Sequence, residues 1–374
     1  MFFKILDLLF YYYVRHSDTH ESCVILKEKI QNTGSIAIKI FQWVYHIQYH
    51  KYKDDNRPLI YDHIRDFQYN VRTITLTTDE INDLLTRCPF LTHIDPDSVA
   101  CGTIGHIHRG TGPQQNTYMI KIRHSFIIEE LVFFKRFLFF INPSLTDYLY
   151  SQIDFRIEAE NMNRVSSIYG DSACTRVPRV YHSSEDILVM ENVVSRHYPG
   201  QDDIFEVISL KLWMLDMIMF HGIMHGDIHN GNWGMGEDYL VIYDWGIIYT
   251  DSVLRDLVVS FFDRDKNLLV TSIMLFFPLA DRTSLDDWLL EWEKDEYQFT
   301  KRVTQLLIEI LRPSFQMTIK TLMFLNFVNF FSIMDQFTFL KETDLTEVRK
   351  FQLALLRAKE ILPDMQVYLE NKLQ

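Results

Sequence analysis

The 374-residue chain has no Cys-x-x-Cys pair, no His-Glu-x-x-His helix, no internal repeat and no apolar run long enough to cross a bilayer. Cys23, Cys88, Cys101 and Cys174 are scattered without metal-ligand spacing. In a chain of this size that argues against a disulfide framework and for free thiols in a reducing, intracellular compartment. Basic residues are also in short supply. Lys and Arg number 37 against 50 Asp and Glu, a net charge of −13. A field of that sign repels phosphate backbones and anionic lipid, so no nucleic-acid partner is expected.

The apolar stretches are short or interrupted. Met1 to Tyr13 carries Lys4 and Asp7, is too short to span, and has no small-residue cleavage site after it. Asp18 and Glu21 argue against an acidic-poor transit peptide. The stretch reads as a core or partner-facing helix, with an interfacial membrane helix as the alternative. Leu268 to Ala280, broken by Pro278, and Thr321 to Met334, with Asn326 and Asn329, read as buried helices. Hydrophobic residues at 47% and charged residues at 23% describe a folded chain with two or three lobes.

Periodicity divides the chain. Residues 14–90 read as mostly helical, apart from a loop expected over Tyr49 to Pro58, with Thr78 or Asp79 as the expected cap of one helix. From Val99 the pattern alternates, and Thr111-Gly-Pro-Gln-Gln-Asn116 is a turn between two strands. Helices are expected over 126–140 and 147–169, strands over 176–181 and 186–190, and a long helix over 204–221 ending at Gly222. Beyond Thr250 the chain reads as helical. The expected domains are a helical extension (1–90), a strand-rich lobe (91–195) and a helical lobe (196–374).

The chemistry is concentrated in His225-Gly-Asp-Ile-His-Asn-Gly-Asn232 and in Asp244-Trp-Gly246. Asp227 and Asn232 stand in the D-x-x-x-x-N relation of a kinase catalytic loop. A hairpin between them and Asp244 would bring that carboxylate back beside Asn232. Carboxylate and amide oxygens are hard ligands suited to magnesium, and Asp227 would orient or deprotonate a hydroxyl. Upstream, Lys121 lies between apolar neighbours on an alternating strand, where its charge needs a carboxylate partner. Glu158, on a predicted helix, can supply it. A His225/Asp227/His229 metal site is the weaker reading of the same loop. Taken in order, these elements predict an α+β, protein-kinase-like two-lobed fold.

Four motifs resemble the UbiB (aarF-domain) family of atypical kinase-like proteins. They are His225 to Asn232 against H-x-D-x-H-P-G-N, Ile153 to Asn161 against L-D-x-x-x-E-A-x-N, Val99 to Arg109 against the alanine-rich nucleotide loop, and Lys39-Ile-Phe-Gln42 against K-x-G-Q. The resemblance implies ATP and Mg2+ as cofactors, and it gives Asp227 the catalytic role. Asn232 and Asp244 become magnesium ligands, and Lys121 and Glu158 the phosphate-orienting pair. Ala100, Cys101, Gly102 and Thr103 become the loop over the phosphates, and Met190, Glu191 and Val193 the hinge against adenine. Lys39 and Gln42 would fold over the active site and block protein substrates.

The resemblance also implies a lipid or isoprenoid small-molecule substrate and peripheral membrane association. The pattern departs from the family in several places. Phe41 replaces the glycine of K-x-G-Q, Gln152 replaces the first acid of E-x-D, Gly102 loosens the alanine-rich loop, and Trp245 replaces the phenylalanine of D-F-G. No arginine precedes Asp227, and no A-P-E follows Asp244, which disfavours a peptide platform. With only seven alanines against 28 phenylalanines, the composition fits a divergent, viral member. The expected function is an atypical kinase-like phosphotransferase or ATPase acting on a small molecule. A nucleotide-binding pseudokinase is the alternative, and an aminoglycoside- or choline-type kinase a third reading.

Overall fold

The structure, a computed structural model, describes residues 2–41, 58–64, 73–138, 149–170, 175–195, 204–228, 231–236, 239–263, 265–278, 280–292 and 323–324. It divides into two compact units. The first comprises residues 1–168 and 177–194, the second residues 169–176 and 195–374.

The first unit opens with α1 (Phe2–Phe10), a π-helical turn and α2 (His20–Thr33). Thr19 caps α2 through a hydrogen bond from the Ser22 amide. A further helix, α3 (residues 35–41), follows at once after Gly34, which adopts φ 131°. After α4 (Ile60–Ile64) comes α5 (Thr78–Arg87). Its cap is Thr77, one residue before the expected Thr78 or Asp79: Thr77 and Glu80 satisfy each other's backbone amides in a capping box.

The core of this unit is a sheet of β1 (His93–Ile94), β2 (Ala100–Cys101), β3 (Gly105–Thr111), β4 (Thr117–Arg123), β6 (Val180–Ser183) and β7 (Ile187–Glu191). The order is β1-β3-β4-β7-β6, with β2 also pairing β3, and every pairing is antiparallel. Alternation along β4 and β7 buries Tyr118, Ile120, Ile187 and Val189 against Leu84, Cys88 and Leu91 of α5 and its exit. The turn between β3 and β4 places Gln114 and Gln115 in the left-handed region.

After β4 the chain forms α6 (Ile127–Leu138), a short helix α7 (residues 149–153) and α8 (Phe155–Tyr169). The single helix expected over 147–169 is therefore broken, with Asp147 outside the described residues. Asp154 is the break: its carboxylate accepts the Arg156 amide at 3.1 Å and restarts the helix.

The second unit holds β5 (Thr175–Arg176), α9 (Ile204–His221), β8 (Ile223–His225), β9 (Trp233–Met235), β10 (Leu240–Ile242) and β11 (Ile248–Thr250). The helices α10 (Ser252–Asp263), α11 (Lys266–Phe276) and α12 (Arg282–Trp292) follow. Gly222 ends α9 in the left-handed conformation, φ 62°, as the sequence predicts. The strand expected over 176–181 is divided. Its start, β5, pairs in parallel with β10, while β6 joins the sheet of the first unit. Among the described residues no helix is long and apolar enough to cross a membrane.

Candidate active site

In the first unit Ala100, Ile107, Lys121 and Leu188 share one rung across β2, β3, β4 and β7. Loop 100–103 and Lys121 therefore sit at the same level of the sheet. Lys121 Nζ lies 2.9 Å from Oε1 and 2.7 Å from Oε2 of Glu158. The pair is 12% and 3% exposed. Asp154 sets this contact by restarting α8 so that Glu158 falls within its first turn. The Nζ also lies 5.1 Å from the centroid of the buried Phe155 ring, a favourable cation–π contact.

The loop itself is a tight turn closed by the Gly102 amide on the Gly105 carbonyl at 2.7 Å. Gly105, which no sequence motif singles out for a role, is required here. A Cβ on it would stand 2.4 Å from the Ile122 carbonyl oxygen. His124, equally invisible to motif reasoning, donates from Nε2 to the Gly102 carbonyl at 3.1 Å. A lone histidine just past a strand end carries no local pattern that would mark it.

Met190 and Val193 are buried at the end of β7 and beyond it. The Glu191 backbone and carboxylate both bond Arg179. Lys39 is buried on α3, where Phe41 makes an edge contact with Tyr12. Gln42 and His229 lie outside the described residues. Gln152 is buried, and its Nε2 has no acceptor among the described residues.

The second unit assembles the other group. β9 and β10 form the expected hairpin, with Trp233 opposite Ile242. The Tyr243 amide then bonds the Asn232 carbonyl at 2.8 Å and carries Asp244 back to the catalytic-loop sequence. Asn232 is buried and donates from Nδ2 to the Asp227 carbonyl at 2.8 Å. That leaves its oxygen side for a cation.

His225 ties the two ends together. Its Nε2 faces the Tyr243 carbonyl at 3.1 Å and must donate. Its Nδ1 is then the acceptor for the Asp227 amide at 3.1 Å, so one neutral tautomer satisfies both. Gly226 explains the missing arginine: a Cβ there would stand 2.2 Å from Ile247. Asp244 adopts φ 55°, an unusual conformation for a residue other than glycine. Trp245 anchors it. The indole is fully buried, donates to the Ile242 carbonyl at 3.0 Å, and packs edge-on against Trp213 and His225. Phenylalanine could not make that hydrogen bond.

A family profile described as the ABC1 atypical kinase-like domain matches residues 85–273, half of the chain, and spans both groups. The chain belongs to the ABC1 atypical kinase-like family. This is the family that its motifs resemble under the names UbiB and aarF. An uncharacterized protein of Mycobacterium tuberculosis is 31% identical over 133 residues, covering 30% of this chain and 27% of that protein. The AarF domain-containing protein kinase 1 of Xenopus laevis is 35% identical over 91 residues, covering 22% of this chain and 18% of that one. The chain thus spans about a quarter or less of the length of these curated relatives. A Mycobacterium tuberculosis protein solved in complex with erythromycin superposes with a TM-score of 0.52 at 19% identity, covering 70% of this chain and 80% of that one. That likeness is one of fold, and with the family match it shows an α+β, protein-kinase-like architecture.

The donor set fits the cofactors that the family implies. Asp244 and Asn232 offer hard oxygens for magnesium. Lys121, held by Glu158, offers an ammonium for phosphate.

Proposed function

We propose that this ABC1-family protein is a magnesium- and ATP-dependent phosphotransferase or ATPase whose acceptor is a small molecule or lipid-related compound rather than a peptide. The observation that supports this reading is the set of hydrogen bonds in the second unit that tie Asn232 to the Asp227 carbonyl, His225 to the Asp227 amide, and Asn232 to the amide of Tyr243, the residue just before Asp244. Bound magnesium-ATP supplies the transferable phosphoryl group and offsets the charge that develops on it. The chain does the rest. Lys121 binds nucleotide phosphate while Glu158 fixes the ammonium. Loop 100–103 covers the phosphates, and Met190, Glu191 and Val193 hold the base. Asn232 and Asp244 hold the cation, and Asp227 orients the acceptor hydroxyl and takes its proton.

The segment after Asp244 supports the small-molecule preference. Ile248–Thr250 pairs at once with Ile223–His225, and α10 begins at Ser252. No room is left for a phosphorylation-controlled activation segment on which a peptide would dock.

Magnesium-ATP turnover should fall at least a hundredfold in Asp227→Asn and in Asp244→Asn. Asparagine tolerates left-handed backbone, so the second variant removes a ligand charge without disturbing Asp244's conformation. Equal rates in wild type and both variants, with nucleotide still bound, would replace this reading by the pseudokinase one. A screen of lipid and small-molecule hydroxyl acceptors against a protein acceptor then tests the substrate class.

A further inference from the structure

Three buried histidines lie beneath loop 100–103, and the phosphoryl-transfer chemistry leaves them without a task. His108 Nδ1 faces the Asp95 carbonyl at 3.0 Å and must donate to it. Its Nε2 is therefore an acceptor, and it takes the proton of His106 Nδ1 at 2.7 Å. The His106 ring lies 5.3 Å from that of His124, which stacks on Phe126 at 5.0 Å. His124 Nε2 in turn faces the Gly102 carbonyl at 3.1 Å, and again only donation is chemically allowed. The His124 amide bonds the Ile104 carbonyl at 3.0 Å, gripping the loop on its other side.

Burial lowers the pKa of all three rings, His106 to about 4, so they are neutral near pH 7. The neighbouring Cys101 thiol, 3.9 Å from His124 Nε2, is pushed up by burial and stays protonated. Protonating His124 would leave its Nε2–H in place, so this contact does not depend on pH.

A planar trans peptide points its C=O and N–H in opposite directions. With the Gly102 carbonyl drawn inward onto His124, the amide of the same peptide, that of Thr103, faces the other way. Among the described residues it has no acceptor. We propose that His124 is a positioning residue for nucleotide phosphate: by holding the Gly102 carbonyl it presents the Thr103 N–H as a hydrogen-bond donor to a phosphate oxygen. This rests on the nucleotide reading given above. It adds to the loop a residue from outside it and a specific donor within it. Backbone amides in turns are general anion-binding devices, and His124 grips this one from its ring to the Gly102 carbonyl and from its amide to the Ile104 carbonyl.

Calorimetric titration of the full chain with magnesium-ATP and with adenosine tests the proposal. His124→Phe keeps the stack on Phe126 and removes the donor, whereas His124→Gln restores a side-chain N–H. His124→Phe should bind ATP about tenfold more weakly, the scale of one hydrogen bond to a charged group, and adenosine within twofold of wild type. His124→Gln should recover most of the loss. Unchanged ATP affinity in His124→Phe, or equal losses for ATP and adenosine, would overturn the assignment. A second measurement needs no variant. Residue-resolved amide exchange of the wild type should show Thr103 protected by magnesium-ATP and not by adenosine. ATP binding without that protection overturns this inference alone. Failure of the wild type to bind any nucleotide overturns the functional reading and this inference together.

Discussion

Taking Lys121 and Glu158 out of water costs several kcal/mol per ion, which their attraction repays only with good geometry. Both Glu158 oxygens lie within hydrogen-bond reach of the ammonium, so the geometry is good. Even so, such pairs are weak stabilisers compared with apolar residues of similar volume. Stability alone therefore does not explain the pair, which accords with the phosphate-binding role proposed above. Lys121→Met alone should destabilise the fold by about 3 kcal/mol, because it removes the ammonium that both oxygens of the buried Glu158 carboxylate face. The double variant Lys121→Met, Glu158→Leu should melt at or above the wild-type temperature. Neither should bind ATP detectably by calorimetry. A double variant that is as unstable as the single one would show that the pair holds the fold. Lys121 and Glu158 were legible in the sequence because each sits on a strongly patterned element. His124 and Gly105 were not, since their roles depend on a neighbouring strand's carbonyl and a loop's orientation.

Among the elements, α3 shows how a segment with little local support is held. Its N-terminus follows Gly34 directly, and glycine has no side chain with which to accept from the first amides. Glu130 of α6 does the capping instead, accepting the Ile36 amide at 3.1 Å across 94 residues of sequence. Burial raises the pKa of this carboxyl, while backbone amides of Ile36 and Ser35 and the charge of Lys4 pull it down. A Cβ at Gly34 would stand 2.3 Å from Glu130 Oε1, and φ 131° is strained for any L side chain. Gly34→Ala should therefore cost more than about 1 kcal/mol in urea unfolding. Glu130→Gln, which keeps an acceptor, should cost less than Glu130→Ala. Since α3 carries Lys39, amide exchange over residues 35–41 should rise in Glu130→Ala. Unchanged exchange there would show that α3 is held by other contacts. The Lys39-Ile-Phe-Gln42 motif was visible in the sequence, but the residue that holds its helix was not.

Across the molecule, stability should depend on pH through the buried histidines of the first unit. His106 has a folded pKa of about 4 against an unfolded value of about 6.5. Between those values the unfolded chain binds more protons than the folded one, so stability rises with pH there. The contribution is fully present above about pH 6.5. It is lost as pH falls towards 4, and amounts to about 3 kcal/mol in total. Melting temperatures from pH 7 to pH 4.5 should fall less steeply in His106→Gln than in wild type. Parallel curves would show that His106 titrates normally. The net charge of −13 shrinks over the same range as carboxylates protonate. The comparison with the variant isolates the histidine.

The local pieces and their order can be read from the residues alone: the stop at Gly222, the hairpin over 233–242, the alternating β3 and β4, and the motif residues each of them carries. These depend on near neighbours and on backbone preferences that a short window contains. Packing between distant segments is what makes residues 175–176 pair with β10, Glu130 cap α3, Gly226 leave no room for arginine, and His124 hold the Gly102 carbonyl. Those outcomes arise from unpaired backbone groups and close approaches between segments far apart in the chain. Which distant group meets them is fixed by packing, and no local periodicity encodes it.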